Sequence, residues 1–113
     1  MNPDTAPIAE IEEWLAPRLG WTKHPSRQVW YHYEKGHSAH GVLIGPSMDA
    51  AIGCLPEGCH WQAYYVNWLC VKPDHWVVEH PRSNDPAKAR DELLRLAVKA
   101  WMAKEVGRDT NRT

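Results

Sequence analysis

Apolar residues recur at helical spacing near the start of the chain. Ile8, Ile11, Trp14, Leu15 and Leu19 fall on one face, with Glu10 and Glu13 turned away from it. Thr5 can cap this helix, and Pro7 suits its first turn. Pro17 ends or kinks it, and Gly20 fits a C-terminal cap. Residues 21–27 show no period and are predicted as loop. Residues 28–34 then alternate, with Val29, Tyr31 and Tyr33 on one face and Trp30 and His32 on the other. That pattern predicts a strand. Gly36 marks a turn within 35–38, and 40–44 reads as the returning strand of a hairpin.

Gly45-Pro46 breaks the second strand, and Ser47 caps a short helix that ends near Leu55 or Pro56. Residues 59–71 form the strongest strand pattern in the chain. Trp61, Ala63, Tyr65, Leu69 and Val71 lie on one face, broken only by Asn67, and Tyr64, Val66, Trp68 and Cys70 lie on the other. A strand apolar on both faces needs cover on both, which predicts a central position. Lys72-Pro73-Asp74 turns the chain, and 75–80 returns as a strand closed by Pro81. Asp85 and Pro86 start a long helix expected to reach Lys104, with Leu93, Leu94, Leu96, Ala97, Ala100 and Trp101 as its apolar stripe. Gly107 suits its cap. The predicted unit is one α+β domain over 1–107 with a loose tail over 108–113. Its order is α-β-β-α-β-β-α, an antiparallel sheet with helices on both faces, or three-layer α/β/α sandwich.

Composition narrows the function. The chain has 113 residues, enough for one core, and 13 basic against 14 acidic side chains give a net charge of -1. That balance argues against direct nucleic-acid binding and against acidic mimicry of DNA. No apolar run nears the roughly 20 residues that span a bilayer. The first residues show no secretory signal, and the odd count of three cysteines fits a reducing cytoplasm. Seven Trp and four Tyr stand against no Phe, and both residue types suit cores and contact surfaces alike.

Three local patterns carry a family resemblance. They are Glu12-Glu13-Trp14-Leu15 with Gly20-Trp21; Pro46-Ser47-Met48-Asp49-Ala50-Ala51; and Cys59-His60-Trp61 followed by a Trp-bearing hairpin and the Ala-rich helix after Asp85-Pro86-Ala87. In this order they resemble the phage ABA-sandwich domain family, small proteins of phages and prophages. The resemblance implies an α/β/α sandwich, phage origin and action in the cytoplasm of a bacterial host. It brings no catalytic residues.

Candidate chemistry is sparse. Cys54, Cys59, His60 and Cys70 are the types that close a tetrahedral zinc site, but their spacing matches no zinc finger or ribbon. His32, His37 and His40 cluster around one predicted hairpin and can bind a transition metal or respond near neutral pH. Cys59-His60 pairs a thiol with an imidazole, yet neighbours on a strand point to opposite faces. There is no phosphate loop, HExxH or paired-carboxylate motif. A binding surface is the better expectation. Trp30, His32, Tyr64, Trp68 and Trp76 fall on neighbouring predicted strands near Arg27, Lys72 and Arg82, and Ser47 opens a helix whose N–H groups suit an anion. The expectation is a cofactor-free binding protein that inhibits a bacterial defence system. It would do so by masking a host protein, as anti-CRISPR proteins do, or by sequestering a small nucleotide signal. A zinc-stabilised module or metal-dependent enzyme is the alternative, and the short edge-capable strands permit a homodimer.

Overall fold

The computed structural model describes residues 1–25, 29–37 and 43–110. Helix α1 spans Ile8–Leu15 and buries Ile11 and Leu15. Pro7 occupies its cap position and no side chain caps it. Thr5 is not the cap, because its own N–H and that of Ala6 turn back to the Asn2 carbonyl. At Pro17 the helix tightens into a 3-10 turn, Ala16–Leu19, rather than stopping. Gly20 closes it at φ 92° and donates to the carbonyls of Ala16 and Pro17.

The reversal at Gly20 launches a strand where the sequence predicts loop. Strand β1, Trp21–Lys23, pairs antiparallel with β2, Trp30–His32, and β2 pairs with β3, Gly36–His37. The expected strand over 40–44 lies partly outside the described residues. Its last two members, Leu43 and Ile44, are buried but unpaired as strand. The Arg90 guanidinium donates to the Ile44 carbonyl at 3.0 Å. Helix α2, Met48–Ile52, begins at Ser47, whose hydroxyl accepts from the Ala50 N–H as the sequence implies.

The long pattern over 59–71 is two strands, not one. β4, His60–Ala63, turns at residues 64–66 into β5, Asn67–Lys72, and β6, Trp76–Pro81, completes a second sheet in the order β4-β5-β6. The Tyr64 N–H closes the turn on the Asn67 carbonyl at 2.8 Å. Trp68, Cys70 and His80 face inward and are buried, and Trp61 and Ala63 pair with Cys70 and Trp68 on that same face. Gln62, Leu69, Val71 and Val77 lie on the other face.

After a 3-10 turn, Pro86–Lys88, capped by Asp85, helix α3 runs over Ala89–Thr110, past both Lys104 and Gly107. Its Leu93, Leu94, Leu96, Ala97, Val98 and Ala100 are fully buried. They pack α3 on β5 and β6, on α1 and on α2. The layered α+β fold therefore stands, with its strands divided between two antiparallel sheets and its helices before, between and after them. Among the described residues no helix is long and apolar enough to cross a membrane.

Gly20 and Gly36 both hold positive φ, but a Cβ at Gly20 would come within 3.1 Å of His32 Nε2, whereas one at Gly36 meets nothing within 4 Å. Gly20→Ala is expected to lower unfolding free energy by more than the roughly 1–2 kcal/mol of left-handed strain alone. Gly36→Ala should cost only that strain. Urea denaturation of both variants checks the order.

Candidate functional site

The β4–β5 turn makes the most exposed apolar feature of the described chain. Tyr64, Tyr65 and Val66 are 51%, 95% and 68% exposed, and Trp61 beside them is 38% exposed. Arg82, just past β6, braces this turn. Its N–H donates to the Val66 carbonyl at 2.8 Å and its Nη1 donates to the Tyr64 carbonyl at 2.9 Å. The guanidinium also lies 4.9 Å over the Trp68 ring, a cation–π contact. Trp61 leans on Trp68 with ring centroids 6.3 Å apart.

Glu92, in the first turns of α3, anchors the assembly from below. Its carboxylate accepts from Trp68 Nε1 at 3.1 Å and from the Ser83 N–H at 3.1 and 3.3 Å. Burial pushes the Glu92 carboxyl upward, but these hydrogen bonds outweigh it and hold it below its ordinary value.

Next to the turn lies an open cleft of about 610 Å³, bounded by Asp4, Asn67, Glu79, His80, Glu92 and Lys99 among others. Lys99 Nζ sits 2.7 Å from Asp4 Oδ1 and donates to the Glu79 carbonyl at 3.3 Å. That bond holds the Asp4 carboxyl below its ordinary value. His80 is buried, with Nδ1 3.4 Å from the same Asp4 oxygen but in no hydrogen bond. Burial, then the nearby Lys99 charge, lowers its pKa, against the opposing pull of Asp4. A neutral imidazole beside a carboxylate can move a proton only if a substrate group reaches it. The Ser83 hydroxyl points instead to the Asp85 carbonyl at 3.5 Å. Among the described residues no hydroxyl or thiol is hydrogen-bonded to His80.

Of the expected binding residues, Trp68 and Arg82 meet here, together with Tyr64. The others lie elsewhere. Trp76 is half-buried at the far end of β6, opposite Lys72. Trp30 is half-buried on β2, with Lys23 Nζ 5.8 Å over its ring. His32 is buried and committed: Nδ1 accepts from the N–H groups of Glu34 and Lys35 at 3.1 and 3.3 Å, so Nε2 carries the proton toward the Leu19 carbonyl at 3.1 Å. Its ring stacks on Tyr33 and abuts Trp21 edge-on. The Ser47 hydroxyl is used in capping a helix of 5 residues. His37 lies in β3, and Arg27 and His40 fall outside the described residues.

The zinc set does not form. Cys54 donates to the Ala50 carbonyl, and burial pushes its thiol up to about 11. Cys70 is pushed up to about 12 by burial and by the neighbouring Cys59. Cys59 itself donates to the Pro56 carbonyl at 2.6 Å, and His60, paired with Val71, takes the face opposite Cys70. Among the described residues no group of three or more His, Cys, Asp or Glu side chains comes together as a metal set.

Sequence reasoning missed Tyr65 and Val66 as tip residues, and the group of Asp4, His80, Glu92 and Lys99. One signal was present: Asn67, a turn-former, interrupts the apolar face two residues after Tyr65.

The lowered His80 pKa has a stability consequence. The unfolded chain protonates this histidine near 6.5 and the folded chain only at lower pH, so between those values the unfolded state binds more protons. The stability His80 contributes is complete above 6.5 and is lost as pH falls through the folded pKa. Asp4 and Glu92 lose theirs only in a lower window, below 3.8 and 4.5. Thermal unfolding at pH 7.5 and 5.5 should show a wild-type decline that is reduced in His80→Gln. No family model, curated protein or solved structure matches the chain.

Proposed function

We propose that this chain is a non-enzymatic binding protein that captures a protein partner with the β4–β5 turn. The observation that carries the reading is the exposed run Tyr64-Tyr65-Val66, flanked by Trp61 and stiffened by Arg82. Aromatic side chains and arginine dominate the energetics of protein interfaces, and a rigid backbone beneath them lowers the ordering cost of binding. Following the ABA-sandwich resemblance, the partner proposed is a component of a bacterial defence system, masked in the host cytoplasm.

Capture of a small nucleotide signal is the weaker route. A nucleotide needs a free stacking face and free cations. The Trp68 face is covered by Arg82, and Lys99 is already paired with Asp4. The neighbouring cleft also carries the carboxylates of Asp4, Glu79 and Glu92. Among the described residues a hydrolase reading finds support only in His80, and no hydroxyl or thiol there is in hydrogen-bond contact with it.

Tyr65→Ala removes the most exposed aromatic of the turn and should leave stability within about 0.5 kcal/mol. It should weaken partner binding by about tenfold or more, as truncation of an aromatic anchor does. Affinity purification from bacterial lysate with wild type and Tyr65→Ala, followed by titration of the captured protein, checks both. A partner bound equally by both chains, or turnover of a substrate by the wild type, sinks the proposal.

A further inference from the structure

Strand β4 leaves one edge of the second sheet open. The Tyr64–Asn67 hydrogen bond fixes the alternation of the ladder: Gln62 and His60 also bond toward β5, through Leu69 and Val71. Trp61 and Ala63 therefore turn their backbone N–H and C=O groups outward, and among the described residues no strand lies on that side. All of β4 is exposed. Edges of this kind are normally blunted by charge, proline or a bulge. The opposite edge, β6, carries Glu79 and Pro81, whereas β4 reads His60-Trp61-Gln62-Ala63, with no Asp, Glu, Lys, Arg or Pro.

We propose that β4 pairs antiparallel with β4 of a second copy of this chain, about a two-fold axis at Gln62. Three features make the edge complementary to itself in this register. First, Trp61 lies opposite Ala63 of the second copy, and these are the residues whose backbone groups point outward, so each N–H meets a C=O. Second, the same pairing sets an indole against a methyl group on the inner face, large against small. Third, Gln62 meets its own copy on the outer face, where one amide can donate and the other accept. His60 falls opposite Tyr64, and no formally charged side chain of β4 meets its symmetry mate, which is the usual obstacle to a symmetric edge. The two sheets become one continuous sheet, and the Tyr64–Val66 turns emerge at opposite ends of the joined strands. The dimer stands independently of the binding function and would present that turn twice.

Sedimentation velocity over a wide micromolar range tests this with wild type, Gln62→Lys and Gln62→Glu. The Gln62 side chain is exposed on the outer face, so both variants should keep the wild-type circular dichroism spectrum. Wild type is expected to move with concentration from the 13.0 kDa chain mass toward twice that value. Each variant alone places like charges opposite one another and should dimerise about fivefold or more weakly. An equal mixture of the two should recover dimer. Ala63→Pro deletes an outward N–H and should weaken the dimer with the β4–β5 ladder left intact. A wild type that stays monomeric throughout overturns the proposal. So does a dimer indifferent to Gln62→Lys, or a mixture no better than its components.

Discussion

The structure depends on the burial of one face of α3. Leu93, Leu94, Leu96 and Val98 are sealed from solvent, and each such side chain contributes roughly 1.5–3 kcal/mol when fully buried. Different parts of that face meet different elements, since α1, α2, β5 and β6 all pack on it. The polar side chains of α3 then fix what the apolar ones collect. Arg90 bonds Glu12 and the carbonyls of Ile44 and Gly45, and Arg95 holds the carbonyls of Pro3 and Ala6. These contacts join segments far apart in sequence. In the irregular stretches 1–6 and 43–45 the carbonyls of Pro3, Ala6, Ile44 and Gly45 thus find donors without belonging to a sheet.

The same helix supplies the foundation of the candidate site. Glu92 orients Trp68 from the strand side and Ser83 from the loop side, and Arg82 is held between the Trp68 ring and the Tyr64 and Val66 carbonyls. The exposed turn is therefore tied to the core through a chain of directional contacts. This distinguishes it from an ordinary loop tip, whose backbone is satisfied by water.

Much of the fold was legible in the sequence because its strongest signals are local. The α1 stripe, the Ser47 cap, the Asp85-Pro86 start and the apolar row of α3 each place an element from a few neighbouring residues. The failures share a cause: they occur where tertiary partners override local composition. Trp21–Lys23 becomes a strand because Gly20 reverses the chain and His32 meets Trp21 across the ladder. Residues 64–66 have strand composition and no Gly or Pro, yet they turn, because Tyr64 and Asn67 close on each other and Arg82 fixes the backbone between them. The site was legible only in part for the same reason. Trp68 and Arg82 carry visible chemistry, whereas the contacts of His80 with Asp4 and Lys99 depend on how α3 and the N-terminal turn converge on β6. His32 looked like surface chemistry and is instead a structural bridge, since both its nitrogens serve backbone groups.

The composition of residues 60–66 makes sense as surface rather than as core. A sheet that only had to fold would gain from charge on its edge and from Gly or Asn at its turn, since both suppress unwanted association and relax the backbone. This hairpin has no Asp, Glu, Lys or Arg on β4 and no Gly in its turn, with Asn67 only at the turn's end. It keeps Trp61, Tyr64, Tyr65 and Val66 in solvent, where each forgoes the gain that burial would bring. The opposite edge strand β6 shows that the same sheet can carry protective residues, with Glu79 exposed and Pro81 at its end. The contrast within one sheet is the physical argument for contact at β4 and its turn. The exposed apolar side chains and outward amides lie together on the part of the sheet that α3 leaves uncovered, and a protein surface satisfies both.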